Sequence, residues 1–137
     1  MPAIVDTSAL VALVRTGEPR HAAVAASIAA ERGSLVVPLT VVAEAAQMIA
    51  SRLGPAAESA WLRGLASGPW AIEPSPASDL ERAAELMDRY RAANIGFVDA
   101  SIVAMAERLG STRLYTLDQR DFSIIRPRHV AAFEILP

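Results

Sequence analysis

The stretch Ala3-Ile4-Val5-Asp6-Thr7-Ser8-Ala9-Leu10-Val11-Ala12-Leu13-Val14-Arg15 changes character in its middle. Ala3 to Val5 is a short apolar run suited to a buried strand, whereas Ser8 to Arg15 reads as a helix that Gly17 and Pro19 bring to an end. A strand passing directly into a helix is the first half of a βαβ unit, and Asp6 occupies the junction. The alternation recurs downstream. His21 to Arg32 reads as a helix closed by Gly33, Leu35 to Val37 as a strand stopped by Pro38, and Thr40 as the cap of a helix reaching Leu53. Gly54-Pro55 ends that helix and opens another to about Ser67, which predicts a helical hairpin. Trp70 to Glu73 reads as a third strand, and Ser78 with Glu81 has the spacing of a capping box for a helix to Arg91. Val98 to Leu109 is a helix ended by Gly110, Arg113 to Leu117 a fourth strand, and Phe133 to Leu136 a fifth. The pattern predicts an α/β fold: a single domain over residues 1–137 with a mainly parallel central sheet of about four to five short strands flanked by helices.

Composition narrows the function. At 53% hydrophobic residues the chain is not disordered, and its 137 residues suit one core. A formal net charge of −2 excludes a broad basic field, so any polyanion must bind locally. With no cysteine, disulfide frameworks, Cys-ligated zinc and thiol nucleophiles are excluded. The apolar N-terminus lacks a basic leader region and carries Asp6, and no apolar run approaches the ~18 residues of a membrane span. A soluble, cytoplasmic protein is expected.

Carboxylates at the ends of the elements carry the chemistry. Asp6 follows the first strand and Asp118 the fourth, while Glu44 and Asp99 lie near the starts of their helices. In a parallel sheet all these places belong to the carboxyl edge, where ligands bind. Each acid alone is explained as a helix cap or by the helix dipole. Together they repel one another and need a cation, which no basic side chain within those motifs is expected to supply. Carboxylate oxygens suit Mg²⁺ or Mn²⁺, whereas zinc would call for His or Cys. His21 and His129 lie apart from the acidic motifs and read as surface residues. An ion held there would polarise a phosphoryl oxygen and acidify a bound water, the chemistry of phosphodiester cleavage. Competing readings lack their groups: Ser8 stands where a haloacid-type phosphatase has its second Asp, a receiver domain needs a lysine and the chain has none, and no G-x-S-x-G elbow occurs.

Ile4-Val5-Asp6-Thr7-Ser8-Ala9-Leu10, the helix of Glu44, Phe97-Val98-Asp99-Ala100-Ser101 and Leu114-Tyr115-Thr116-Leu117-Asp118-Gln119-Arg120-Asp121-Phe122 resemble the PIN-domain family, and more narrowly the VapC-type toxins of bacterial toxin–antitoxin pairs. The resemblance spans nearly the whole chain in order. It implies a Mg²⁺- or Mn²⁺-dependent endoribonuclease, a homodimer, held inactive by a small antitoxin protein, with tRNA, rRNA or mRNA as substrate. Asp6, Glu44 and Asp99 match the family's metal-binding carboxylates, Asp118 its fourth acidic position, and Asp121 is the alternate there. Thr7 and Thr116 match small polar positions whose hydroxyls orient a carboxylate or a water. The alternative is a non-catalytic module of the same fold that binds RNA or a partner protein.

Arg108, Arg113, Arg120, Arg126 and Arg128 accumulate late in the chain and are candidates to hold RNA phosphates, Arg113 and Arg120 foremost. Aromatic residues are only 5% of the chain, so no platform for stacking a series of bases is evident. The predicted hairpin carries Val41, Met48, Leu53, Trp61 and Leu65. That is enough apolar bulk for both a core contact and a groove for an antitoxin helix or a dimer face.

Overall fold

A computed structural model describes residues 2–137. The chain runs β1 (Ala3–Val5), α1 (Thr7–Val14), α2 (His21–Ala29), β2 (Leu35–Pro38), α3 (Leu39–Leu53), α4 (Pro55–Ser67), β3 (Trp70–Glu73), α5 (Ala77–Arg89), a 3-10 turn (Arg91–Ala93), α6 (Phe97–Leu109), β4 (Arg113–Tyr115), α7 (Arg120–Ile124) and β5 (Glu134–Leu136). The five strands form one sheet in the order β3-β2-β1-β4-β5, every neighbouring pair parallel. This is the α/β architecture expected from the alternation of short apolar runs and helices, with β1 at its centre.

Parallel pairing requires crossovers that cover both faces, and the central strands are accordingly buried. Ile4, Val5, Val36, Val37, Leu114 and Tyr115 are nearly inaccessible to solvent. Helix α6 is buried continuously from Ala100 to Ala106 and packs against α5 and α3. Its small residues Ala100, Ser101, Ala104 and Ala106 let neighbouring backbones approach. Gly110 ends it in the left-handed conformation (φ 69°), which a residue without Cβ adopts freely.

Several boundaries differ from the sequence reading. Helix α2 stops at Ala29 rather than Arg32, α5 ends at Arg89 before the 3-10 turn, and β4 ends at Tyr115, two residues early. Thr40 lies inside α3, whose cap is Pro38, and its hydroxyl instead meets Ser101 Oγ at 2.8 Å. The expected capping box at Ser78 and Glu81 makes no side-chain cap hydrogen bond, and α5 begins at Ala77 after Pro76. Asp79 in that first turn is turned inward instead, 3% exposed and bonded to Arg108 Nε at 3.0 Å. Helix α7 was not anticipated, since its five residues are too few to show a helical period.

Three of the candidate RNA-binding arginines pair with carboxylates outside the acidic motifs. Arg108 joins Asp79 to Glu73 at 2.9 Å, Arg128 reaches Glu85 at 3.2 Å, and Arg113 pairs with Glu31 and Glu134. Arg113 opens β4, so it lies at the amino edge of the sheet, opposite to where a ligand would bind. Burial raises the Glu31 pKa, but the Tyr115 hydroxyl at 2.7 Å, the Gly33 N–H at 3.0 Å and Arg113 outweigh it and hold the carboxyl at about 2.

A carboxyl held below its ordinary value of 4.5 contributes stability that is complete above that pH and lost as pH falls towards about 2. Glu31→Gln should therefore lower Tm by a few degrees at neutral pH, and the difference from wild type should shrink as pH falls through that window. Thermal melts by circular dichroism check this; a deficit independent of pH would show that the charge is not the source.

Candidate active site

The strand order reverses at β1, from which the chain reaches β2 on one side and β4 on the other. That switch point leaves a crevice beyond the carboxyl ends of the strands. Asp6 ends β1 and caps α1, and the loop after β4 carries Asp118. Helix α3, entered from β2, brings Glu44; α6 presents Asp99 in its first turn; and α7 brings Asp121. A cleft of about 380 Å³ is lined by Asp6, Thr7, Ser8, Glu44, Asp99 and Asp118. The structure thus brings Asp6, Glu44, Asp99 and Asp118 to one cleft. The exposed ring of Phe97 also borders it.

Hydroxyl groups lace the elements of this cleft together. Asp6 is 4% exposed; its Oδ1 accepts from the Thr7 N–H at 2.7 Å and its Oδ2 from the Thr116 hydroxyl at 2.7 Å. Thr116 Oγ1 in turn accepts from the Asp118 N–H at 3.0 Å. Ser8 Oγ accepts from the Leu117 N–H at 2.9 Å and lies 3.1 Å from Thr116 Oγ1. One small network therefore fixes α1, β4 and the Asp118 loop relative to each other. Ser101, which contacts Thr40, also donates to the Val98 carbonyl at 2.6 Å, tying the helix of Glu44 to that of Asp99. Ser8 and Thr40 find partners remote in the chain, Thr40 in place of the capping role that its sequence position suggests.

Asp99, Asp118 and Asp121 offer carboxylate oxygens that all lie within 4.8 Å of one another. Burial, then a hydrogen bond with Asp121, then the charges of Asp6, Asp121 and Asp118 push the Asp99 pKa to about 8. Burial also raises the Asp6 pKa, together with the charges of Glu44 and Asp118, while its bonds from Thr116 and Thr7 counteract. One cation does reach the cluster: Arg120 Nη1 lies 2.6 Å from Asp121, where none was expected. Three hard oxygen donors at this spacing suit one shared divalent ion. The Thr7 hydroxyl adds a second sign of fit, being buried with no hydrogen-bond partner. His21 and His129 bond to the Ala12 and Ser111 carbonyls and do not line the cleft.

An acid whose folded pKa lies above its ordinary value binds a proton that the unfolded chain releases, so its unfavourable effect grows as pH rises from 3.8 to about 8. In EDTA, Asp99→Asn should melt higher than wild type by about 2–6 °C at pH 8, with less gain at pH 5. Mn²⁺ should raise the wild-type Tm more at pH 8 than at pH 6, because binding must displace the proton. Differential scanning fluorimetry measures all these shifts; an equal Mn²⁺ response in Asp99→Asn would place the ion elsewhere.

Residues 3–126 match the family model of the PIN domain. The chain is 41% identical over 134 residues to Ribonuclease VapC26 of Mycobacterium tuberculosis, covering 98% of this chain and 99% of that protein. Among solved structures, it resembles VapC20 of Mycobacterium tuberculosis, a sarcin-ricin-loop-cleaving toxin, with a TM-score of 0.83, 26% identity and coverage of 93% and 98% of the two chains. VapBC2 of Rickettsia felis, solved bound to promoter DNA, shares the fold at a TM-score of 0.74 and 17% identity, with both chains fully covered. With its acids gathered at the switch point of a parallel sheet, and with this relationship over nearly its full length, the chain belongs to the PIN-domain family and is a homologue of the VapC ribonucleases.

Proposed function

We propose that this chain is a divalent-metal-dependent endoribonuclease, acting in the cytoplasm as the toxin of a toxin–antitoxin pair. The observation that carries the reading is the convergence of Asp6, Glu44, Asp99 and Asp118 on one cleft, with Asp121 beside Asp99 and Asp118. The homology to a ribonuclease over nearly the full chain supports the reaction class. Asp99, Asp118 and Asp121 would hold Mg²⁺ or Mn²⁺, with Asp6 and Glu44 lining the same cleft. When bound, the ion supplies Lewis acidity toward a phosphoryl oxygen and lowers the pKa of water.

The protein's own tasks follow from its contacts. Thr116 and the Thr7 N–H hold Asp6 in one orientation. Burial, the hydrogen bond with Asp121 and the neighbouring charges favour a proton on Asp99 at neutral pH, and a cation bound beside it would displace that proton. Arg120 neutralises part of the charge on Asp121, and its exposed guanidinium is the group we assign to a phosphate flanking the scissile bond.

The partner is proposed to be a small antitoxin protein, and the active form a homodimer. Leu53 and Leu62 of the hairpin are exposed, and an apolar cavity of about 200 Å³ is lined by Leu10, Leu13, Trp61 and Trp70. Val41 and Leu65 are core, and Met48 lines the acidic cleft, so only part of the hairpin's apolar bulk is free to meet a partner.

Incubation of a mixed single-stranded RNA with Mg²⁺ or Mn²⁺ should yield cleavage that EDTA abolishes. Asp6→Asn and Asp99→Asn should fold and lose it, while Thr116→Val should weaken metal affinity by about 10- to 100-fold. Asp118→Asn should cost more activity than Asp121→Asn, since Asp118 lines the cleft with Asp6, Glu44 and Asp99 whereas Asp121 is engaged by Arg120. A fully active Asp99→Asn protein would sink the site assignment. Expression alone should arrest growth, and co-expression of the small neighbouring gene should relieve it and give a stable complex on gel filtration.

A further inference from the structure

Among the described residues, most arginines of the chain's second half pair with carboxylates, but Arg89 and Arg126 do not. Arg89, at the end of α5, places its guanidinium carbon 5.8 Å from the centroid of the Tyr90 ring. The Tyr90 hydroxyl accepts from the backbone N–H of Arg126 at 2.9 Å, so the exposed Arg126 departs from the same ring. Arg120 donates through Nη2 to the Ala93 carbonyl at 3.2 Å, joining α7 to the 3-10 turn. Arg91, in that turn, is 81% exposed and paired at the surface with Asp88. The tyrosine and its turn thus collect four arginines, its sequence neighbours Arg89 and Arg91 and, from farther along the chain, Arg120 and Arg126. Among the described residues, Arg89 and Arg126 form no ion pair.

This surface is continuous with the cleft. Arg120 contacts Asp121, whose carboxylate is grouped with Asp99 and Asp118, and the turn leads through Asn94 and Gly96 straight into the helix of Asp99. The cations therefore begin where the acids end. An RNA strand cut in the cleft needs its flanking phosphates neutralised, and the acidic cleft cannot do that. Arginine forks supply it, and Tyr90 offers a half-buried ring beside them.

We propose that the surface formed by Arg89, Tyr90, Arg120 and Arg126 is the track along which single-stranded RNA leaves the cleft, its phosphates held by the arginines. The inference rests on the ribonuclease reading and adds to it where the substrate lies. Each phosphate neutralised on a single strand contributes about 0.7 to the slope of log affinity against log salt.

The test compares wild type, Arg89→Ala/Arg126→Ala, and Arg52→Ala/Arg63→Ala, a variant of equal charge loss on the exposed hairpin. Fluorescence anisotropy with a labelled single-stranded oligoribonucleotide in EDTA, across a salt series, reads binding without cleavage. The Arg89/Arg126 variant should bind about tenfold more weakly, with a salt slope reduced by about 1.4, and the hairpin variant should match wild type. In parallel cleavage assays with Mn²⁺ its KM should rise while kcat is kept. Equal losses in both variants, unaltered binding in the Arg89/Arg126 variant, or no binding by wild type would overturn the track. RNA cut with an unchanged KM would overturn it while leaving the ribonuclease reading intact; RNA bound on the track but never cut would do the reverse.

Discussion

The mutual repulsion of carboxylates gathered at one crevice is the constraint to which the rest of the structure answers. Asp6, Asp99, Asp118 and Asp121 come from four separate elements, and burial adds to their like charge in driving the Asp99 pKa to about 8. Such an arrangement opposes folding unless something else holds it. Part of that support is the parallel sheet, whose central strand β1 is buried on both faces and leaves no freedom in where Asp6 emerges. Another part is the hydroxyl network of Ser8 and Thr116, which gives Asp6 donors that do not need an ion. A divalent cation would complete the balance.

Helix α6 connects that balance to the core. Its first turn carries Asp99 to the cleft, and the following residues from Ala100 to Ala106 are buried against neighbouring elements. Little can shift Asp99 without disturbing this packing. Ser101, completely buried, gives the same helix a polar link to Thr40 and so sets the distance to the helix of Glu44. Packing and hydrogen bonding thus preorganise the acids before any ligand arrives.

The thirteen arginines divide by what surrounds them. Those beside buried or half-buried acids, such as Arg82 with Glu107 and Arg108 with Asp79, clamp α5, α6 and the approach to them. Arg113 does so at the amino edge with Glu31. Of those around Tyr90, Arg89 and Arg126 have no acidic partner among the described residues, Arg91 pairs with Asp88 at the surface, and Arg120 reaches Asp121 beside the cleft. A chain of net charge −2 can therefore still present a local cationic surface to a polyanion.

Much of this was legible in the sequence because it depends on local order. Apolar runs of three or four residues alternating with helical periods specify a parallel sheet, and an acid directly after a strand must emerge at its carboxyl edge. Asp6, Glu44, Asp99 and Asp118 could be placed on one rim for that reason. What tertiary structure alone decided involves partners far apart in the chain. The five residues of α7 carry no readable period, yet they return Asp121 to Asp99 and bring Arg120 with it. Arg113 and Arg108 look like free cations until folding sets Glu31 and Asp79 against them. Thr40 and Ser78 look like helix caps because composition is a local signal, but their helices start elsewhere and Thr40 finds a partner 61 residues away. Sequence specifies which groups reach the edge of the sheet; which charges they meet there is fixed only when the helices pack.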